Sequence, residues 1–274
     1  MSFELYLTQW QLEVDGAGFQ THSSSLLPVR HQGRPALLKL PHAHAVEERQ
    51  AAQLMVWWHG QGAAEVYAFE QASGAIVLER LSSEPSLKAM ALSGRDDEAT
   101  RILCRAAAKL HNKAAHDLPP LFSLERWFRA LGPMAARYGG ILREGASVAE
   151  RLLTDQRDVV VLHGDLHHEN LLWSEQRGWL AIDPKGLYGE RSYDYANMLR
   201  DPDFELAAQP RRFARQSWLI AQEAGIEHRR LLEWTLALTC LSAAWYLEEN
   251  DPSRDRDKDL ILAHLAAIEL ENIG

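Results

Sequence analysis

A carboxylate, a carboxamide and a second carboxylate follow one another in one short stretch of the chain, at Asp165, Asn170 and Asp183. A carboxylate can orient a hydroxyl group and accept its proton, whereas amide and carboxylate oxygens are ligands that Mg²⁺ accepts. Phosphoryl transfer needs these parts, because its catalysis consists mainly of positioning and charge neutralisation. The stretch HGDLHHEN at 163–170, followed by IDP at 182–184, therefore predicts Asp165 as catalytic base and Asn170 and Asp183 as magnesium ligands.

Other residues near this stretch are expected to support it. His163, Asp165 and Asn170 have the spacing of the H-x-D-x-x-x-x-N loop of protein kinases. The histidine of that loop braces it by hydrogen bonding and packing, and we expect the same of His163, His167 and His168. Asp194 begins a predicted helix. It can cap that helix or accept hydrogen bonds from the backbone of the loop, and we favour the second role.

A lysine and a glutamate upstream have the order expected of a phosphate-binding pair. Lys39 lies in ALLKL, a predicted strand, and Glu48 opens the helix that follows. In kinases a strand lysine contacts the α- and β-phosphates and is held by a helix glutamate. The alternative is a solvated lysine with a glutamate favoured by the helix dipole. The order of Lys39 ahead of Asp165 favours the phosphate role, with Glu47 as an alternative partner.

Two further segments are predicted to contact a nucleotide. The stretch THSSS at 21–25 lies between the first two predicted strands, and the hydroxyl and N–H groups of Ser24 and Ser25 could meet phosphate oxygens. There is no G-x-G-x-x-G, so an ordinary polar turn fits equally well. The segment LERL at 78–81 lies at the predicted junction of two lobes. From this position alone, Glu79 and Leu81 are expected to present backbone groups to adenine.

The elements that must position these residues fall into two parts. Short apolar runs and one amphipathic helix predict strand–strand–strand–helix–strand–strand over about residues 10 to 81. Helical periodicity then dominates, interrupted by a strand–loop–strand–turn–strand island that carries HGDLHHEN. We therefore predict an α+β fold with a small nucleotide-binding lobe at 1–81 and a larger, mainly helical lobe at 82–274. A ligand cleft is expected between them.

Composition narrows the class of protein. The 274 residues carry a formal net charge of −9, which argues against a nucleic-acid partner. No apolar run is long enough to span a bilayer, and the N-terminus does not resemble a secretory signal. Cys104 and Cys240 lie in apolar helical patterns and are expected to be reduced. We therefore expect a cytoplasmic protein without a membrane partner.

With these residues identified, a family resemblance can be stated. The segments HGDLHHENLLW, GWLAIDPKGLYGERSYDYANML and LTCLSAAWYLEE, with ALLKL upstream, resemble the aminoglycoside/hydroxyurea antibiotic-resistance kinases of the streptomycin 6-phosphotransferase type. The resemblance implies a bilobal protein-kinase-like fold, ATP, Mg²⁺ and phosphorylation of a hydroxyl on a small polar molecule. It maps the family's base to Asp165, its metal ligands to Asn170 and Asp183, and its phosphate-binding lysine to Lys39.

The acceptor expected from the resemblance is a streptomycin-like cation. Trp245, Glu248 and Glu249 lie within about one turn of a predicted helix and could offer an aromatic wall and carboxylates to guanidinium groups. The alternative is that Trp245 is a core residue and the glutamates form a solvated helix end. Kinases of related kind act on choline, homoserine or amino sugars, which are alternative acceptors. An inactive ATP-binding protein and a dinuclear metallo-hydrolase are more remote alternatives.

Overall fold

The N-terminal part of the chain is an antiparallel sheet with one long helix. The structure is a computed structural model that describes residues 2–42, 46–249, 251 and 255–273, without the side chains of Val46 and Glu47. The sheet has the order β1-β3-β4-β6-β5, with β2 paired to β3. Its strands are β1 (Leu12–Val14), β2 (Phe19–Gln20), β3 (Ser24–His31), β4 (Arg34–Pro41), β5 (Val66–Phe69) and β6 (Ile76–Glu79). Helices α1 (Phe3–Gln9) and α2 (Val46–Trp58) belong to the same part.

Alternation along β4 decides which way Lys39 points. Ala36, Leu38 and Leu40 are buried in a small apolar cluster with Tyr6 of α1. Because successive side chains of a strand point to opposite faces, Lys39 must leave the sheet on the other side. That side faces α2 and the rest of the chain. The sequence pattern ALLKL therefore places its one cation on the side of the sheet that faces α2.

The C-terminal part is mainly helical. Its helices are α3 (Leu87–Met90), α4 (Asp96–His111), α5 (Leu124–Trp127), α6 (Leu131–Tyr138), α7 (Gly140–Thr154), α8 (Ser192–Asn197), α9 (Phe204–Ala207), α10 (Pro210–Ala224), α11 (His228–Glu248) and α12 (Asp255–Asn272). Helix α11 lies at the centre, packed against α7, α8 and α12, and most of its residues are buried all round. A helix that is apolar on every side is expected at the centre of a core.

Two small sheets interrupt these helices. Strands β9 (Leu171–Ser174) and β10 (Gly178–Ala181) form an antiparallel hairpin. Strand β11 (Leu187–Glu190) pairs antiparallel with β8 (Val159–Leu162) and parallel with β7 (Phe122–Ser123). The loop between β8 and β9 therefore carries HGDLHHEN, as predicted. The predicted α+β arrangement is confirmed.

Several elements differ from the sequence prediction. Helix α1 is not predicted, because its seven residues are too few to show a clear helical period, although Ser2 caps it through a 3.3 Å hydrogen bond from the N–H group of Glu4. Helical periodicity, which the sequence shows near residues 123–156, does not mark the break between α6 and α7 at Gly139, whose φ of +66° lies in the left-handed region. Among the described residues, no helix is long and apolar enough to cross a membrane.

The contact between α7 and α11 depends on a missing side chain. A Cβ added to Gly145 would overlap Cys240 Sγ and lie 2.6 Å from Cys240 Cβ. We predict that Gly145→Ala lowers the free energy of unfolding by about 1–3 kcal/mol through overpacking, despite the better helix propensity of alanine. Urea unfolding measures the change.

The matched control is Gly132→Ala in α6, where an added Cβ meets no atom within 4 Å outside its chain neighbours and its own helix backbone. Its free energy of unfolding should change by less than about 1 kcal/mol, because the gain in helix propensity is opposed by the steric restriction that Pro133 places on the residue before it. Equal stabilities of the two variants would show that α7 and α11 are not packed as closely as described.

Candidate functional site

Asp165, Asn170 and Asp183 are brought together by the loop between β8 and β9 and the end of β10. The Asn170 side-chain N–H donates to the carbonyl of Asp165 at 2.9 Å. The N–H of Ile182 donates to the carbonyl of Asn170 at 3.0 Å, which places Asp183 beside Asn170. Because the amide nitrogen of Asn170 is engaged with the backbone, its amide oxygen remains available as a ligand.

The loop is held by Asp194, which is fully buried. Its carboxylate accepts hydrogen bonds from the backbone N–H groups of His163 at 2.8 Å and Gly164 at 2.7 Å. It also contacts His111 Nε2 at 2.9 Å. Burial raises the pKa of Asp194. The hydrogen bond and charge of His111, with smaller contributions from the loop, lower this pKa by a larger amount, so the net shift is downward. Asp194 therefore braces the loop as an ionised group.

His163 is also fully buried and acts within the loop. Its Nε2 lies 2.8 Å from the carbonyl of Ile182 and donates to it, and its Nδ1 accepts from the N–H of Asp165 at 3.2 Å. One donor and one acceptor define a neutral ring, which agrees with the lowering of the His163 pKa by burial. Both nitrogens are used, so neither is available to a ligand.

Gly164 is required by close packing. Its φ is +83°, and an added Cβ would lie 2.8 Å from Leu187 Cγ and 3.0 Å from Lys185 Cβ. The peptide N–H of Lys185 also donates to the carbonyl of His163 at 2.7 Å. The segment that follows Asp183 is therefore clamped against the loop that carries Asp165.

Lys39 lies between two carboxylates. Its ammonium contacts Asp183 Oδ1 and lies 2.6 Å from Glu48 Oε2, while Ser23 Oγ donates to Glu48 Oε1 at 2.6 Å. Burial lowers the pKa of Lys39, but Asp183 and Glu48 raise it by more, so the lysine stays charged. The side chain of Glu47, the alternative partner, lies outside the described residues.

Asp183 is both accessible and conformationally unusual. Its side chain is 41% exposed, and its φ of +60° lies in the left-handed region that few residues other than glycine adopt. Burial of its carboxyl group raises the pKa of Asp183, but Lys39 and then Lys185 lower it by more. An ionised, accessible carboxylate on a backbone of this kind is typical of a functional position.

The two serines predicted to contact phosphate are placed less favourably. Ser24 is fully buried, and its N–H and carbonyl both bond to Thr21 Oγ1 at 3.2 Å distances. This burial argues against the predicted hydroxyl contact of Ser24. Ser25 Oγ lies 3.3 Å from His42 Nε2. The neighbouring Ser23, which was not singled out, is the serine that reaches Glu48.

Glu79 joins the sheet to the β9–β10 hairpin through its side chain. Its carboxylate pairs with Arg177, accepts from Ser174 Oγ at 3.3 Å and accepts from the N–H of Glu65 at 3.1 Å. Arg177 also donates to the carbonyls of residues 60 and 63. Leu81, the other predicted adenine contact, is half-buried beside this junction.

A cavity of about 280 Å³ opens directly beside Asp165. Four carboxylates line it: Asp165, Asp201, Asp255 and Asp259. Asp255 and Asp259 already have partners, since Lys258 lies 2.7 Å from Asp255 and Arg200 lies 3.0 Å from Asp259. Asp201 has His167 Nδ1 at 3.9 Å. Burial raises the pKa of Asp201, and the nearby His167 and Arg200 do not fully offset it.

A hydrogen-bonded series connects Asp165 with α12. Asn197 donates to Asp165 Oδ1 at 3.5 Å and to the carbonyl of Leu166 at 3.3 Å, and Arg200 donates to Asn197 Oδ1 at 3.1 Å. Arg200 in turn binds Asp259. The orientation of Asp165 is thus coupled to the wall of the acidic cavity.

The predicted substrate residues at the end of α11 do not line this cavity. Trp245 packs edge-to-face on Trp127 with ring centroids 5.2 Å apart, on the edge of the helical core. Glu248 and Glu249 are exposed and lie outside the cavity wall. Tyr246 lines the cavity instead, because one residue turns a helix by about 100°.

Sequence reasoning did not single out six residues that the geometry brings to the site: Ser23, His111, Lys185, Asn197, Arg200 and Tyr246. Two of them carried a usable signal. Lys185 lies two positions after Asp183, and Asn197 lies one helical turn after Asp194. The others depend on how distant helices pack.

The donor set fits Mg²⁺. Within the described residues, no group of three or more His, Cys, Asp or Glu side chains could hold a metal ion. Mg²⁺ is usually bound through one or two carboxylates together with substrate phosphates and water. Asp183 and the free amide oxygen of Asn170 match that requirement.

The fold and the site define a kinase-like phosphotransferase, with a lysine–glutamate pair on the sheet and an Asp/Asn/Asp set on the helical side. The chain matches the model of the aminoglycoside/hydroxyurea antibiotic resistance kinase family over residues 9–250, and it belongs to this family. The family, the protein-kinase-like fold and the enzyme class predicted from the sequence are therefore confirmed.

Individual relatives agree with this assignment. The chain is 46% identical to a streptomycin 3″-kinase of Klebsiella pneumoniae, over 88% of this chain and 91% of the relative. It is 30% identical to a streptomycin 6-kinase of Streptomyces glaucescens, over 92% and 84% of the two chains. A choline kinase of Streptococcus pneumoniae superposes with a TM-score of 0.65 over 98% of both chains at 17% identity, which shows a shared fold.

The buried carboxylate of Asp194 gives a pH-dependent prediction. Its folded-state pKa is depressed, so its contribution to stability is present above the unfolded pKa of about 3.9 and is lost as pH falls through the folded value. We predict that Asp194→Asn lowers the free energy of unfolding by about 1.5–3 kcal/mol at pH 7. The difference from wild type should narrow below about pH 4.

The control for this prediction is Asp158→Asn, which removes a carboxylate that is 68% exposed and pairs with Arg191 at 3.1 Å. Its effect should stay below about 1 kcal/mol. Urea unfolding at pH 7 and pH 3.5 makes the comparison. A difference for Asp194→Asn that is equally large at both pH values would contradict an ionised brace.

Proposed function

We propose that this protein transfers the γ-phosphoryl group of ATP to a hydroxyl group of a streptomycin-type aminoglycoside, with Mg²⁺ as cofactor. The observation that carries the proposal is the acidic cavity beside Asp165 in a chain of this kinase family. Streptomycin carries guanidinium groups, which bind carboxylates through paired, charge-assisted hydrogen bonds. The cavity offers the complementary charge next to the proposed base.

The residues on the nucleotide side have distinct proposed roles. Lys39, held by Glu48, would contact the phosphates of ATP. Asp183 and Asn170 would hold Mg²⁺, which neutralises phosphate charge when bound. The nucleotide would lie between a small lobe at 1–81 and a larger lobe at 82–274, with adenine near the backbone of residues 79–81. A cytoplasmic location is proposed because ATP is the phosphoryl donor.

The acceptor would lie in the acidic cavity with its reacting hydroxyl at Asp165. Asp165 would orient this hydroxyl and take its proton as the oxygen attacks phosphorus. Asp201 is the carboxylate best placed to bind a guanidinium, because the nearby His167 and Arg200 only partly offset its burial. Tyr246 would supply the aromatic wall that sequence reasoning had given to Trp245.

The choice of hydroxyl follows from the relatives. This chain shares more identity with the streptomycin 3″-kinase than with the streptomycin 6-kinase, and a larger part of the 3″-kinase is covered. We therefore propose the 3″-hydroxyl as the acceptor, a choice that the sequence alone leaves open. Choline, homoserine and amino sugars are less favoured, because the likeness to a choline kinase shows the fold alone.

Two substitutions separate the proposed base from the proposed metal ligand. Asp165→Asn should lower turnover by about 10²- to 10⁴-fold while the affinity for Mg–ADP stays near wild type. Asp183→Asn should also lose the magnesium-dependent part of nucleotide affinity, because a charged ligand is replaced by a neutral one. Coupled kinase assays and calorimetry with Mg–ADP measure these effects. Near-normal turnover of Asp165→Asn would move the base elsewhere.

The acceptor is tested with purified protein, streptomycin and ATP, and the phosphorylated position is located by phosphorus–proton NMR. We predict the 3″-phosphate as product. Asp201→Asn should raise the apparent KM for streptomycin by about tenfold, as expected from loss of one charge-assisted pair, with the KM for ATP unchanged.

The control is Glu248→Gln, because Glu248 is exposed and lies outside the cavity. It should leave both KM values near wild type. Hydroxyurea serves as an uncharged acceptor, and its turnover should not respond to Asp201→Asn. Phosphorylation of hydroxyurea or choline without phosphorylation of streptomycin would reject the acceptor and retain the kinase.

A further inference from the structure

Lys185 is a cation at the site, and the proposed function gives it no role. Its Nζ lies 3.7 Å from Asp165 Oδ2, and its side chain is 31% exposed. This distance is too long for a hydrogen bond, and within the described part of the chain no other carboxylate lies within 4.0 Å of the ammonium, although its charge also acts on Asp183. Lys39, in contrast, is already engaged by Glu48 and Asp183. Lys185 therefore has donors left for a ligand.

The backbone of Lys185 is fixed with respect to the loop of Asp165. Its N–H donates to the carbonyl of His163 at 2.7 Å, and its Cβ packs where a side chain on Gly164 would stand. It also follows Asp183 by two residues. The ammonium thus belongs to a rigid segment that lies between the proposed base and the proposed metal ligand.

We infer that Lys185 is a further catalytic residue, which donates a hydrogen bond to a non-bridging oxygen of the γ-phosphoryl group during transfer. The inference rests on the proposed function, because transfer must run from a nucleotide near Asp183 to a hydroxyl at Asp165. A cation near both Asp183 and Asp165 would contact the phosphoryl group while it is transferred. Pre-positioned charge of this kind stabilises a transition state more than it stabilises the ground state.

The step is a balanced displacement. The acceptor oxygen forms a bond to the γ-phosphorus, and the bond from phosphorus to the β,γ-bridging oxygen breaks, with its electron pair leaving on ADP. The acceptor proton passes to the carboxylate of Asp165 and then to solvent. Lys185 remains an ammonium throughout and contributes charge and one hydrogen bond, so no further reactant is required.

The first test replaces Lys185 and measures turnover. Lys185→Gln should lower kcat by about 10²- to 10³-fold, as expected for loss of one transition-state donor, with the KM for ATP within about threefold of wild type. Lys185→Arg should restore at least about tenfold of the loss, because it restores the charge. A kcat for Lys185→Gln within about threefold of wild type would overturn the inference.

Lys88→Ala is a matched control. Lys88 is 35% exposed and pairs at 2.9 Å with Glu169, which belongs to the same loop and is itself 59% exposed. Its removal takes away an ammonium of similar exposure without changing the charge at Asp165, so kcat should remain near wild type. An equal loss in Lys88→Ala would mean that the effect of Lys185→Gln is a general effect on the loop.

A second test separates action on the phosphoryl group from action through Asp165. ADP with Mg²⁺ and fluoroaluminate mimics the transferring group, and wild-type protein should bind ADP more tightly when fluoroaluminate is present. Lys185→Gln should lose this gain and keep its affinity for ADP alone. The same loss should appear in the Asp165→Asn background. A full gain retained by Lys185→Gln would show that Lys185 acts only by holding Asp165.

These outcomes are independent of the acceptor. Binding of ADP with fluoroaluminate, and slow ATP hydrolysis without any aminoglycoside, both report on the γ-phosphoryl position. Failure of streptomycin as a substrate would therefore reject the proposed acceptor while leaving Lys185 testable. The fluoroaluminate measurement on Lys185→Gln tests the role of Lys185 whether or not streptomycin is the acceptor.

Discussion

A fully buried carboxylate needs hydrogen-bond partners from the protein, and Asp194 finds them in the loop that carries the proposed base. Leaving such a charge unpaired in the interior costs several kcal/mol. Two backbone N–H groups and His111 therefore converge on it, and the polypeptide between β8 and β9 has little freedom left. His163 extends the same restraint to Ile182, so that Asp165, Asn170 and Asp183 share one rigid frame. The positions of the proposed base and metal ligands follow from the burial of Asp194.

Residues that act through local spacing could be predicted from the sequence, and residues that act through distant packing could not. The alternation of ALLKL and the order of HGDLHHEN and IDP led to Lys39, Asp165, Asn170 and Asp183. The structure joins these residues through the contacts of Lys39 with Asp183 and of Asn170 with Asp165. His111 meets Asp194 only because α4 packs beside the loop, a contact that spans 83 residues. No periodicity encodes such a separation. The residues expected to contact the ligands could therefore be predicted from the sequence, whereas the residues that brace them from distant helices could not.

A sequence pattern does not always show which of two adjacent residues faces a site. Trp245 and Tyr246 are adjacent on α11, but one packs on Trp127 and the other lines the acidic cavity. Ser23 and Ser24 are adjacent on the chain, but one reaches Glu48 and the other is buried. In both pairs the residue types are similar, so hydropathy does not distinguish them. Only the rotation of the helix and the register of β3 on β4 decide which side chain faces the ligand.

The clamp between Glu79 and Arg177 has a consequence for how this family can recombine. Glu79 belongs to the N-terminal sheet and Arg177 to the hairpin in the helical part, and Lys39 and Asp183 span the same divide. A gene exchange near residue 81 separates both ion pairs into different parental halves. A mosaic enzyme keeps a working cleft only when the two parents carry matching charges at these four positions. The acidic cavity, which within the described residues is lined wholly by the helical part, can then be inherited as a unit while the N-terminal sheet stays unchanged.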